Sequence, residues 1–223
     1  MPDIVYLTAA DLDDVMQLQQ TVYDGLSDAE KNFILPKSRQ HLTEIFNRGS
    51  FMMGVKHEGK LVAQAIVLNP TAAHPETGMV DMRPVGTPET TSVLQGVLVH
   101  PDSRGMRLGK ILCTAWIKVC RQSGRHNVMA ETALPNVHSQ SIFFAHHMPM
   151  VSLGIDPSDG TIVCNHYADL HKPAPGFARA AGYGVRMDNV TLIGRLFDDG
   201  YIALRHKKHK GEDLLVLAKA PSA

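Results

Sequence analysis

What the sequence lacks narrows the reading first. Neither sign of charge is in excess: 22 Lys and Arg balance 22 Asp and Glu among 223 residues. A nucleic-acid partner usually leaves a basic excess or stripe, so the balance argues against one, and it gives no reason to expect an anionic membrane surface. No stretch approaches the roughly 18–20 apolar residues that span a bilayer. Met1 to Leu7 shows no basic segment leading into an apolar run and a small-residue cleavage site, so no secretory leader is read there and the expected location is cytoplasmic. Cysteine is sparse and odd in number. Cys113, Cys120 and Cys164 offer neither a zinc spacing nor a disulfide framework, which fits reduced thiols in a cytosol-like compartment. There are 12 histidines, but they are scattered or, as at His146-His147, merely adjacent. A metal site needs clustered ligands, so no metal is expected. Internal repeats and low-complexity tracts are absent.

What is present describes one large domain, or one domain with an appendage, big enough to bury a core without a staple. Residues 3–8 read as a strand and 11–25 as a helix capped by Asp11, with Val15, Leu18 and Val22 at helical spacing. A second helix is predicted over 38–48, capped by Ser38. Residues 51–57 and 61–68 read as strands joined at Glu58-Gly59, a tight hairpin turn. Residues 69–90 hold four prolines and read as a long loop, a feature that is often functional. A strand over 91–100, a helix over 109–122, a strand over 127–134 and a helix over 137–147 follow. Two strands over 150–155 and 161–168 come next. Residues 172–187, rich in Pro, Gly, Ala and Arg, read as a linker. A helix from Asp188 to Phe197 and a hairpin, 201–206 with 214–217, close the chain. This order indicates a mixed α/β (α+β) fold around one sheet.

One stretch carries chemistry. Strand 91–100 runs into Arg104-Gly105-Met106-Arg107-Leu108-Gly109-Lys110, where the helix begins. The first amides of a helix lack internal partners, and the helix dipole favours negative charge at that end. Gly105 and Gly109 let the backbone come close, and Arg104, Arg107 and Lys110 add positive charge, so a pyrophosphate fits. The Walker spacing is absent, since Ile111 follows Lys110 where a hydroxyl residue belongs, and no Gly-x-Gly-x-x-Gly occurs.

At these residues the chain resembles the GNAT superfamily of acyl-CoA N-acyltransferases. Val99-His100-Pro101-Asp102-Ser103-Arg104-Gly105-Met106-Arg107-Leu108-Gly109 is similar to its Arg/Gln-x-x-Gly-x-Gly/Ala signature, with Arg107 standing where the middle glycine is expected. Downstream, Asn136-x-x-Ser139-x-x-x-Phe143 resembles the family's Asn-x-x-Ala-x-x-x-Tyr. The resemblance covers about 3–155. It implies a GNAT-like, mostly antiparallel central sheet with flanking helices over 1–170, followed by a C-terminal helix-hairpin extension over 171–223.

It further implies that acetyl-CoA, or another acyl-CoA, is the co-substrate. The family's splayed central strand would bind pantetheine through the main chain of Leu98 and Val99, and the loop 104–110 would take the phosphates. Asn136, Ser139 and Phe143 would line the same cofactor, although Asn136 also suits a helix cap. The acceptor is a small-molecule or peptide amine that attacks the thioester directly, with no covalent enzyme intermediate. Glu131 is the candidate general base, against the alternative of an ordinary sheet-edge glutamate. Phe143 replaces the tyrosine the family often uses as general acid, leaving Ser141 or Tyr167 as substitutes. That replacement also motivates an alternative, a GNAT-like module that holds acyl-CoA without turnover. The tail has three readings: it packs on the domain, completes a homodimer, or covers the acceptor cleft.

Overall fold

The computed structural model describes residues 3–82, 85–172 and 182–220. They form two compact units, 3–78 with 85–128, and 79–82 with 129–172 and 182–220. In both, strands pair mostly antiparallel and helices flank them.

The first unit contains β1 (Ile4–Leu7), α1 (Leu12–Asp24), α2 (Arg39–Asn47), β2 (Phe51–His57), β3 (Lys60–Leu68), β4 (Thr91–Val99) and α3 (Leu108–Gln122). The four strands lie in chain order, each antiparallel to the next. The stripe Val15, Leu18 and Val22 buries α1 against Leu42 and Ile45 of α2 and against Met52, Ile66 and Leu98 of the sheet. Full burial of each such side chain is worth about 1.5–3 kcal/mol. Ser38 caps α2 by accepting from the His41 amide at 3.2 Å. The cap expected of Asp11 is not made on α1. A 3-10 turn, Ala9–Asp11, intervenes, and the Asp11 carboxylate closes that turn by accepting from the amide and hydroxyl of Thr8, each at 2.9 Å. At the β2–β3 turn Glu58 and Gly59 both take positive φ, +49° and +78°, the twist a two-residue hairpin needs.

The second unit contains α4 (Val137–Ala145), β6 (Met150–Ile155), β7 (Ile162–Asp169), β8 (Tyr183–Arg186), α5 (Val190–Asp198), β9 (Tyr201–His209), β10 (Glu212–Lys219), and most of β5 (Asn127–Ala133). Its strand order is β5-β7-β6-β9-β10-β8. One hydrophobic cluster of this unit comprises Leu134, Met150, Cys164, Val185, Ile193, Ala203, Leu215 and Leu217, so the C-terminal strands and helix share it with β6 and β7.

The structure corrects the linker expected over 172–187. Residues 173–181 lie outside the described residues, but Tyr183–Arg186 is a strand, with Val185 opposite Leu215 and 6% exposed. The surrounding glycines hid a short alternation in which Val185 faces the core. The hairpin is also longer than its apolar residues indicated, because the cationic run 205–209 continues the β9 ladder. Asp188, expected to cap α5, pairs instead with Arg186 at 2.6 Å, and Asn189 caps the helix through the Leu192 amide. No helix among the described residues is long and apolar enough to cross a membrane.

Candidate active site

In the first unit the site begins on β4. Gln64 faces Leu98 and Ile66 faces Gln95, so Gly96 and Val97 together oppose Ala65. This is a β-bulge, which bends the bulged strand and leaves a residue unpaired. Gly96 carries it at φ +53°, a conformation that suits glycine. Leu98, 3% exposed, and Val99, half-buried, follow the bulge and pair with Gln64 and Ala63. The bulge escaped the sequence reading, although an isolated glycine inside a strand pattern is its usual signal.

After β4 a 3-10 turn, Pro101–Ser103, leads into the loop. Gly105 takes φ +81° and Arg107 φ +59°, ψ +22°. These two left-handed residues coil the backbone just before α3, and no side chain caps that helix. The first backbone bond of α3 is Ile111 N–H to the Arg107 carbonyl, 3.0 Å, so the earlier amides have no carbonyl of the helix to donate to. Arg104, Met106, Arg107 and Lys110 are exposed, whereas Leu108 and Gly109 are buried. Leu108 anchors the start of the helix, and Trp116 anchors its middle by donating to Ser92 Oγ of β4 at 2.9 Å. Exposed cations thus flank an uncapped helix start, an arrangement that suits an anion.

In the second unit Glu131 lies on β5, half-buried, and its Oε2 accepts from the Val80 amide at 2.7 Å. Asn136 caps α4, its Oδ1 accepting from the Ser139 amide at 3.1 Å, so the cap that its position allowed is made. Ser141 is exposed, and its hydroxyl donates to the His138 carbonyl of its own helix at 2.6 Å. Phe143 is 4% exposed and packs on the His166 ring at 5.1 Å. Phe144 meets His166 and His206 edge-on. The His166 Nδ1 lies 3.2 Å from the Met148 carbonyl, which only accepts, so the proton sits on Nδ1 and Nε2 faces the Thr132 hydroxyl at 3.4 Å. Burial, ahead of nearby His206 and against the Met148 bond, holds this imidazole neutral, its pKa down at about 4. Burial first, then Asp169, raises the Tyr167 phenol and keeps its proton on. All three thiols are buried; burial pushes Cys113 up to about 12 and Cys120 to about 11, and raises Cys164 as well. None is a ready nucleophile.

The family model of the acetyltransferase (GNAT) family matches residues 12–146, more than half of the chain. The chain belongs to the GNAT family. It is an acetyltransferase, and the family uses acyl-CoA and acts on amine acceptors. No curated protein matches the sequence. Solved structures do. An N-acetyltransferase from Staphylococcus aureus is 12% identical with a TM-score of 0.58, covering 76% of this chain and 99% of its own. A candidate acetyltransferase from Salmonella typhimurium, solved with its cofactor acetyl-CoA, is 15% identical with a TM-score of 0.57, covering 80% and 99%. A ribosomal-protein-alanine N-acetyltransferase from Brucella melitensis is 18% identical with a TM-score of 0.55, covering 75% and 99%. Identities this low carry the fold alone.

The GNAT signature makes sense of Arg107. The family glycine belongs where this backbone is left-handed, and here an arginine bears that conformation. The residues fit an acyl-CoA pyrophosphate: unpartnered first-turn amides, two left-handed turns and three exposed cations. Sequence reasoning also missed Arg125, whose Nη1 donates to the carbonyls of Pro70, Pro88 and Thr91 and so ties both ends of the 69–90 loop within the first unit. A lone arginine ahead of a strand gives no such signal.

Proposed function

We propose that this GNAT enzyme transfers an acetyl or other short acyl group from acyl-CoA to a primary amine by direct attack, in the cytoplasm. The observation that carries this reading is the uncapped start of α3 behind left-handed Gly105 and Arg107. Acyl-CoA supplies the activated thioester. The amides of 105–110, with Arg104, Arg107 and Lys110, bind its phosphates, and the main chain of Leu98 and Val99 beyond the bulge takes the pantetheine arm. Glu131 accepts the proton that the acceptor ammonium must lose before the free amine attacks the thioester. Because all three thiols are buried and their pKa values are raised by that burial, no acyl-cysteine intermediate is invoked.

The departing thiolate needs a proton or must leave unassisted. Ser141 spends its hydroxyl on His138, while the Tyr167 phenol stays protonated, so Tyr167 is the better general acid of the two. Asn136 and Ser139 orient the start of α4, and Phe143 gives it an apolar seat on His166. The acceptor is a small-molecule or peptide amine.

Calorimetry with acetyl-CoA on wild type and Gly109→Trp tests the cofactor assignment. Micromolar binding lost in a folded variant is expected; no binding by wild type would sink the assignment. Thiol release with a panel of polyamine, aryl-alkylamine, amino-sugar and peptide acceptors then identifies the amine.

A further inference from the structure

We propose that Asn165 is a positioning residue for Glu131 and acts on it through the main chain of Val80. This rests on the assignment of Glu131 as base.

The geometry lies wholly within the second unit. Val80 belongs to the short irregular segment 79–82, and its two main-chain polar groups are held by side chains from two strands of one sheet. Its N–H donates to Glu131 Oε2 of β5 at 2.7 Å. Its carbonyl accepts from Asn165 Nδ2 of β7 at 2.9 Å. With both groups fixed, the direction of the Val80 N–H is set, and with it the plane of the carboxylate. That matters because the terminal torsion of a glutamate is broad and soft. A half-exposed carboxylate in the middle of a strand gets no such direction from its own backbone.

Asn165 is well placed to impose it. The residue is fully buried, at 0% exposure, and its amide also donates to Ser152 Oγ on neighbouring β6 at 3.1 Å. The Ser152 hydroxyl in turn leans on Met82 Sδ at 3.9 Å, at the far end of the same segment. An asparagine amide is expensive to bury unless bonded, and here its bonded N–H groups face the segment and the serine that touches it. Gly154, on β6 two residues from Ser152, completes the seat. A Cβ built there would lie 3.0 Å from the Val80 carbonyl oxygen and 3.1 Å from its Cγ1, so glycine is what lets Val80 settle against the sheet.

A purely structural bridge would satisfy the loop backbone and nothing more. A positioning bridge has a kinetic signature as well, because a displacement of the order of 1 Å in a catalytic group costs up to about 10²-fold in rate. Two substitutions disturb Val80 by separate routes without replacing Glu131 itself. Asn165→Ala removes the donor, and Gly154→Ala pushes the carbonyl away.

The experiment measures kcat/KM for acetyl transfer to the panel amine with the fastest thiol release, or to water where no amine exceeds hydrolysis. It runs across pH for wild type, both variants, Glu131→Gln, and the Asn165→Ala/Glu131→Gln double variant. Calorimetric acetyl-CoA affinity and thermal melts accompany each. Glu131→Gln is expected to lower kcat/KM by about 10²–10⁴-fold and to remove its acid limb, as loss of a general base does. Asn165→Ala and Gly154→Ala are each expected to lower it by about 10–100-fold and to displace the acid limb, with acetyl-CoA affinity within about twofold. In the Glu131→Gln background, Asn165→Ala should add nothing, since residues acting through one another are not additive.

A lower melting temperature with an unchanged pH profile, or a penalty that adds in full to that of Glu131→Gln, would overturn the proposal and leave Glu131 as base. An unchanged rate and acid limb in Glu131→Gln would instead remove the base assignment, and the proposal with it.

Discussion

Arg107 allows backbone strain and ligand charge to be separated at one position. It starts α3 at φ +59°, ψ +22°, is exposed, and makes no side-chain cap bond. An L residue in this region costs about 1–2 kcal/mol, because Cβ crowds the following carbonyl. Glycine removes that cost but regains freedom in the unfolded chain, worth about 0.4–1 kcal/mol. Arg107→Gly should therefore be more stable by about 0.5–1 kcal/mol, which for a chain of this size raises Tm by about 1–4 °C. Arg107→Ala keeps the strain and should melt like wild type.

Both variants lose the guanidinium. An arginine that reaches a phosphate makes charge-assisted bonds, and allowing for its exposure the loss should weaken acetyl-CoA binding by about 5–30-fold in each. Thermal melts without ligand, followed by calorimetry with acetyl-CoA at fixed salt, read the two effects independently. If alanine stabilises as much as glycine, the left-handed backbone is not the source of strain. If neither variant loses affinity, Arg107 stands at the family's glycine position without touching the phosphates.

Two further outcomes follow from buried groups. His166 is fully buried and its pKa falls from an ordinary 6.5 to about 4. The unfolded chain therefore binds the extra proton, and the stability present above pH 6.5 is lost as pH falls toward 4, about 3 kcal/mol in full. Melts from pH 7.5 to 4.5 should show a steeper fall for wild type than for His166→Asn, and parallel curves would refute the assignment. At the bulge, Gly96→Ala places an L residue at φ +53° with its Cβ 3.0 Å from the yielding end of Ile66, so the expected loss of about 1–2 kcal/mol is chiefly backbone, and an unchanged Tm would show that glycine is not required there.

The sequence reading succeeded where local pattern decides structure. The stripe of α1, the Glu58-Gly59 hairpin, the Ser38 cap and helix α3 are each governed by residues within one or two turns of one another. It failed where the deciding partner is remote. Asp11 suits a cap of α1 by position, but its carboxylate is taken by Lys56, 45 residues on, as well as by Thr8 in the turn before the helix. Tyr183–Arg186 is hidden in a glycine-rich stretch because the evidence for a strand is its partner, 28–34 residues on in β10. In the candidate site, the glycine turn into α3 is legible because its amides, glycines and cations are contiguous. The surroundings of Glu131 are not, since its main-chain donor Val80 lies 51 residues away in an irregular loop.

Two departures from the GNAT pattern show how differently a mismatch can act. At 107 the missing residue is a glycine and the demand is conformational, so another residue meets it at an energetic cost and brings a charge to a site that wants one. At 143 the missing residue is a tyrosine and the demand is chemical, and no conformational cost restores a proton to a phenylalanine. The surroundings of Phe143 suit an apolar ring. A neutral imidazole, His166, packs against the ring, and the Met148 carbonyl and Thr132 hydroxyl, with no carboxylate among them, satisfy its two nitrogens. That is an apolar seat with its polar edges closed, built for packing. With no proton to give at 143, the thiolate of the proposed reaction either leaves unassisted or takes a proton from a group outside the signature, and Tyr167, the residue that follows His166 on β7, carries the nearest phenol in sequence.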